Sequence, residues 1–310
     1  MAKIFITAAI TGAIHTPTLS EHLPVTEQEI IDQAVGAYEA GAAVVHIHGR
    51  DPKTGAPSVD KNIIGTILSG IKKRCNVIIC LTTGAGLGMS LEDRVSGVPA
   101  FKPEIASCNA GSFNFYLGPL SRSKKMANPK HDWEMPYLEN TEDFIFSNTF
   151  KGVRHYVKTM YENGSLPEFE VYDVGMINNL AYLRDEGTLK GPIYIQFVMG
   201  IMGGIPATVD NLAYMHKTAD ELLGKDGYVW SCAAAGKAQF PVVSAGLALG
   251  GNARVGLEDN LYLRPGVLAK PSAEQVTAIR TIAELMGHEV MDSTEARKTL
   301  QLKGIDKVAF

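Results

Sequence analysis

The sequence predicts a (β/α)8 TIM barrel, an α/β fold, and three observations carry that expectation. Eight apolar runs of strand length recur along the 310 residues. Stretches of helical period separate them. Polar residues gather toward the carboxyl ends of the runs, the face on which barrel enzymes keep their chemistry. Eight β–α units in a chain of this length suit a closed barrel, whereas a doubly wound sheet more often stops at roughly five to seven strands. The whole chain, 1–310, is therefore read as a single barrel domain.

In chain order the strands are KIFITAAI (3–10), AVVHIH (43–48), NVIICLTT (76–83) and EIASCN (104–109), then EFEVYDVG (168–175), IYIQFVMG (193–200), YVWSCAAA (228–235) and ARVGLED (253–259). Between them TEQEIIDQAVGAYEAG, DKNIIGTILSGIKKR and TVDNLAYMHKTADELLG read as helices, with Thr26 and Asp60 as N-caps of the first two and the third starting at Thr208. VSAGLALGG and SAEQVTAIRTIAELMG continue the alternation. Residues 116–140, YLGPLSRSKKMANPKHDWEMPYLEN, have no steady period. Following the fourth strand, this extended loop is expected to rise over the active-site face.

Composition narrows the class. With 45% hydrophobic residues the chain can bury a large core, and a net charge of −4 provides no basic field for nucleic acid. The amino-terminal run MAKIFITAAITG is too short to cross a bilayer and lacks the form of a signal peptide. Cys75, Cys80, Cys108 and Cys232 form no C-x-x-C pair, and three of them sit in apolar runs. That pattern suits reduced thiols in a cytoplasmic enzyme, and no catalytic partner for any of them is evident in the sequence.

The chemistry is sought at VVHIHGRDP, residues 44–52. Residues two apart on a strand share a face, so His46 and His48 point the same way at the end of a buried strand, close enough to share one ion. An isolated H-x-H is a weak pattern; its place at a strand end strengthens it. In a closed barrel the eighth strand lies beside the first, with the second next to it, so Glu258 comes within reach of the histidine pair. Two imidazoles and one carboxylate leave coordination positions open for substrate. Zinc is the first choice for such a set, and iron or manganese also fits. Asp259, at the point where strand gives way to loop, is then free to act as general base, and Arg254 can pair with it or with a substrate carboxylate. Taken alone, these last three residues also read as a salt-bridged rim. Thr82, Ser107, Asn109, Glu170, Asp173 and Gln196 complete the polar strand ends. The Gly-rich loops TTGAGLG (82–88) and MGIMGGIP (199–206) match no phosphate-binding fingerprint and read first as tight turns.

Taken together, TAAITGAIHTP, GAAVVHIHGRDP, KPEIASCNAG, PEFEVYDVG, IQFVMGIMGG and RVGLEDN resemble the β-keto acid cleavage enzymes, in order from the first strand to the last helix. The resemblance implies a zinc-dependent barrel that exchanges acyl groups between a β-keto acid and acetyl-CoA, giving acetoacetate and a new acyl-CoA by Claisen and retro-Claisen steps. It implies His46, His48 and Glu258 as ligands, Asp259 as base and Arg254 as its electrostatic partner. Thr82 stands where the family often has serine, and Ser107 where it often has threonine, while Asn109 and Glu170 match directly; these four are implied to contact substrate. A homo-oligomer, a tetramer by the same resemblance, is also implied. One departure bears on the substrate. Members acting on an amino-bearing keto acid carry a glutamate just after TAAITGA, where this chain has Ile14, so a neutral or apolar tail is expected here. His15, next to it, could alter that preference.

Rival readings are weighed on the same residues. A zinc hydrolase of the amidohydrolase kind places its H-x-H on the first strand and adds later histidines, which strands five and six here lack. A metal-dependent lyase of the homocitrate synthase type has its paired histidines late in the barrel. A ligand-binding scaffold would be expected to close a structural zinc with four protein ligands.

Overall fold

The structure, a computed structural model, describes residues 3–84 and 86–310. Ala85 of the TTGAGLG loop and the first two residues of the amino-terminal run lie outside the described residues. Eight parallel strands close into a barrel: β1 (Ile6–Ala9), β2 (Val44–Ile47), β3 (Ile78–Leu81), β4 (Ile105–Asn109), β5 (Leu166–Val171), β6 (Ile193–Met199), β7 (Tyr228–Ala234) and β8 (Asn252–Val255). Closure comes where β8 pairs with β1, with Arg254 opposite Thr7. On the other side of β1, Ala9 lies opposite His46, and His46 in turn opposite Cys80.

Helices α1 (Glu27–Ala40) and α2 (Lys61–Arg74) follow the first two strands. After β3 come only two short helices, Leu91–Val95 and Gly97–Phe101. Then α3 (Phe150–Glu162), α4 (Val174–Asp185), α5 (Val209–Leu223), α6 (Gln239–Ala248), α7 (Ser272–Leu285) and α8 (Ser293–Thr299) complete the outer layer. The caps expected at Thr26 and Asp60 are formed. Thr26 accepts from the Glu29 amide in a reciprocal capping box and Asp60 from Asn62 and Ile63, and in the structure Thr208 also caps its helix, accepting from Asn211, each worth about 1 kcal/mol.

Two apolar layers result. The larger lies between strands and helices. The smaller fills the amino-terminal half of the barrel with Phe5, Val44, Ile78, Ile105 and Tyr194, and is closed from below by Met291, Ala296 and Leu300 around α8. The chain's own carboxyl-terminal segment thus seals that end. Polar side chains occupy the other half of the interior, among them Thr7, His46, Glu168, Glu170, Gln196, Ser231 and Arg254, all buried.

Three local differences from the sequence reading have clear causes. The first run splits: Lys3–Ile4 leaves the barrel to pair with Glu289–Val290, a two-residue partner too short to read from periodicity. The eighth run ends as a strand at Val255, because Gly256 takes φ +150° and turns the chain, so 257–259 form a turn. The 116–140 segment is not irregular. It folds into short helices at Gly118–Ser121 and Glu134–Glu139, too brief to show a period, and is pinched at its base by Phe113–Asn114 pairing with Ile145–Phe146.

That segment is stapled over the loop following β1. Buried Glu134 accepts from the Thr18 amide (3.0 Å), the Thr18 hydroxyl (2.9 Å) and the His131 amide (3.0 Å). Burial opposes its ionisation, but these donors outweigh that and hold its carboxyl below the ordinary value. With the folded value depressed, its contribution is present above the unfolded carboxyl's range and is lost as pH falls through the folded value. Glu134→Gln should therefore cost about 1–3 kcal/mol and abolish that acid-side dependence. Hydrogen exchange in residues 116–140, compared between pH 7 and pH 3.5, checks it; equal protection in both proteins would remove Glu134 as the staple.

Candidate active site

His46, on β2, and His48, one residue past it, face Glu258 from the turn after β8. The His46 and His48 Nε2 atoms are 3.2 Å apart, and Glu258 Oε1 lies 3.7 and 3.5 Å from them respectively. A point equidistant from the three atoms is about 2.0 Å from each, the length of a zinc–imidazole or zinc–carboxylate bond. Among the described residues, Glu258 Oε2 has no hydrogen-bond partner. Burial lowers the His46 pKa well below the usual value, so the ring is a neutral donor. Burial opposes ionisation of Glu258, yet Arg254 and the two imidazoles outweigh it and hold the carboxyl well below its ordinary range. The donor set fits a divalent cation.

Arg254 organises the rest. Its Nε donates to Asp259 Oδ2 (2.9 Å) and its Nη2 to Asp259 Oδ1 (3.1 Å) and Glu258 Oε1 (2.9 Å), while Nη1 reaches Gln196 Oε1 (2.6 Å) and Glu170 Oε1 (3.4 Å). One guanidinium serving several buried carboxylates leaves negative charge for a cation to balance. Burial raises the pKa of Asp259 against the pull of Arg254, and pushes Glu170 up to about 8. The adjacent acids thus divide: Glu258 stays ionised, and Asp259 holds a more basic carboxylate.

Two cavities meet at Ile14 and Glu258. The first, about 500 Å³ with its open mouth, is lined by His48, Thr82, Glu170, Phe115, Tyr137 and Tyr172 among others. The second, about 720 Å³, runs between Tyr116–Leu120 and Gly200–Met202 and reaches Asp259. Phe115 and Tyr137 flank and belong to the 116–140 segment, so that segment roofs the first cavity.

Of the residues singled out in the sequence, His46, His48, Glu258, Asp259, Arg254, Glu170, Thr82 and Ile14 come together here. Ser107 lies just beneath, its hydroxyl accepting from the Thr83 amide at 3.3 Å. Asn109 is buried opposite Glu170, and neither end of its amide has a partner among the described residues. Asp173 instead caps α4. His15 bonds the Leu257 carbonyl at 3.0 Å and faces the second cavity rather than the first. Gly84 and Gly86 line the first cavity and Gly200 the second, so both Gly-rich loops border the site.

Sequence reasoning missed Gly12, Arg50, Tyr137 and Cys80. Gly12 has φ +61° and packs directly on Glu258. Arg50 is fully buried without a carboxylate and spends its donors on Thr11 Oγ1 and on the carbonyls of Thr11, Gly12, His15 and Gly55. It thereby clamps the loop that carries Ile14. The GRDP that reads as a strand breaker holds this clamp, a signal visible only once the loop's carbonyls are seen to converge.

Fold and site define a (β/α)8 barrel with an open-sided candidate metal centre at its carboxyl-end mouth. Residues 3–302 match the family model for beta-keto acid cleavage enzyme. The chain is 46% identical to a 3,5-dioxohexanoate:acetyl-CoA acetone transferase of Paraburkholderia graminis, over 99% of this chain and 98% of the relative. It is 35% identical to a 3-keto-5-aminohexanoate cleavage enzyme of Acetoanaerobium sticklandii, over 99% and 100%. Among solved structures, a binary complex of ObcA with oxaloacetate superposes with a TM-score of 0.70 at 20% identity, over 92% of this chain and 68% of that one, a likeness of fold. The chain belongs to the β-keto acid cleavage enzyme family, and it is an enzyme.

Proposed function

We propose that this protein transfers acyl groups between a 3-keto acid with a short neutral tail and acetyl-CoA, releasing acetoacetate and a new acyl-CoA. The observation that carries the proposal is the His46–His48–Glu258 cluster with Asp259 free beside it on Arg254. A bound divalent ion, zinc by preference, would supply Lewis-acid polarisation of the keto carbonyl and charge balance for the substrate carboxylate.

The chain's own residues do the remainder. Asp259 takes a proton from C2 of the keto acid, and the resulting enolate attacks the acetyl-CoA carbonyl, expelling the CoA thiolate as a new carbon–carbon bond forms. The thiolate then attacks the original keto carbon, and the C2–C3 bond breaks to give acyl-CoA and the enolate of acetoacetate. Asp259 returns its proton to that carbon, so the cycle balances. Glu170, whose carboxyl burial shifts toward the protonated form, and Thr82 provide hydrogen bonds to substrate oxygens, with Ser107 and Asn109 supporting them from below. Acetyl-CoA enters through the second cavity while the keto acid occupies the first, the two meeting beside Glu258 and Asp259. Binding of both substrates at once needs two arms.

Ile14 sits where they join, and among the described residues no lysine or arginine lines the first cavity. A neutral tail is supported by the Paraburkholderia graminis relative, named for 3,5-dioxohexanoate, whose tail is neutral. A panel of 3-keto acids with neutral, acidic and ammonium tails, assayed with acetyl-CoA for acetoacetate, tests this. Neutral tails should turn over best, and Ile14→Glu should shift the kcat/KM ratio toward the ammonium tail by about tenfold or more. Absence of acetoacetate from every acid in the metal-loaded protein would overturn the function; preference for a charged tail would overturn only its specificity.

The homo-oligomer and cytoplasmic readings belong to the same proposal. Exposed Phe150, Tyr182 and Leu222, on α3, α4 and α5, border a shallow groove suited to a second copy. No helix among the described residues is long and apolar enough to cross a membrane.

A further inference from the structure

Beneath the candidate metal centre lies a second group of donors that the proposed chemistry does not use. His46 Nδ1 is 3.4 Å from Cys80 Sγ, and Cys80 Sγ is 3.4 Å from Glu168 Oε1. All three side chains are buried, and Glu168 Oε2 has no partner among the described residues. The strand register makes this cluster. Cys80 pairs directly with His46 across β2 and β3, and Glu168 reaches in from β5.

A Cys–His–Glu grouping suggests a nucleophile, but the geometry argues otherwise. Cys80 Sγ is sealed from the cavities, and the His46 nitrogen that a substrate could approach, Nε2, is turned toward His48 and Glu258. For Nε2 to offer its lone pair to a cation, Nδ1 must carry the ring proton, and a buried N–H needs an acceptor. Among the described residues Cys80 Sγ is the atom placed to accept it, and its own S–H can donate onward to Glu168.

We propose that Cys80 and Glu168 form a positioning relay, Glu168···H–S–Cys80···H–Nδ1–His46, that fixes the ring orientation and tautomer of His46 for metal binding. A carboxylate commonly receives a ligating histidine's second N–H directly; here a thiol is interposed. Cys80 Sγ lies 3.4 Å from Glu168 Oε1, placed to donate its S–H to that carboxylate. The relay rests on His46 being a metal ligand.

The test is zinc affinity, measured by competition with a chromophoric chelator on the full-length protein stripped of metal. Cys80→Ala, which removes both the acceptor and the donor, should weaken zinc binding about 10–100-fold. Cys80→Ser restores both functions in one hydroxyl and should recover most of that loss, although it fills the site no better than a small polar group. Glu168→Gln should weaken binding in the same direction, and thermal melting of the metal-free proteins reports packing damage separately. Wild-type affinity in Cys80→Ala, or an equal loss in Cys80→Ser, would overturn the relay. Failure of the wild-type protein itself to bind zinc would instead overturn the metal reading on which it rests.

Discussion

Asp259→Asn should leave the metal bound and lower kcat by about 10²–10⁴-fold, the usual contribution of a general base. The exchange is nearly isosteric, and Asp259 is not one of the three atoms that converge on the ion position. Its two oxygens accept from Arg254 Nε and Nη2 at 2.9 and 3.1 Å, and an amide oxygen can keep one of those bonds. What is lost is the capacity to accept a proton. Exchange of the keto acid C2 hydrogens with deuterated solvent isolates that step from the later acyl transfer. The variant should show metal content equal to wild type and little exchange. Undiminished exchange would place the base elsewhere.

Gly12→Ala should have an effect of similar size by a different route, lowering metal affinity by about 100-fold or more, beyond what loss of one supporting contact costs. Gly12 has φ +61°, where an L side chain is strained by roughly 1–2 kcal/mol. More decisively, an added Cβ would lie 2.8 Å from Glu258 Cδ and 2.9 Å from its Cβ, inside any real contact. Glu258 can relieve this only by swinging away from His46 and His48, since Arg50 clamps the Gly12 backbone through its carbonyl at 2.8 Å. Equilibrium dialysis against zinc, with melting curves of the metal-free protein, separates a lost ligand from a loosened loop. Unchanged affinity would mean that Glu258 does not hold the metal in the orientation seen here.

Much of this protein is legible from local patterns. Period-two and period-3.6 runs depend on neighbours within one element, so all eight strands, the caps at Thr26 and Asp60 and the helix start at Thr208 could be read directly. His46 and His48 are also local, because one strand's alternation puts them on one face. Their meeting with Glu258 was accessible because barrel closure is itself a topological expectation, bringing the eighth strand beside the first.

Other features depend on contacts that no local pattern encodes. Cys80 reads as one more apolar residue of IICL until the register sets it opposite His46 and β5 brings Glu168 beneath it. Glu134 reads as a charge in an aperiodic loop, although its three donors come from Thr18 and His131. The sequence by itself determined the barrel, the polar residues at its strand ends and the family. Only the tertiary structure decided which buried donors face which acceptors, because a low-dielectric interior makes each such pairing matter and the pairs form between residues distant along the chain.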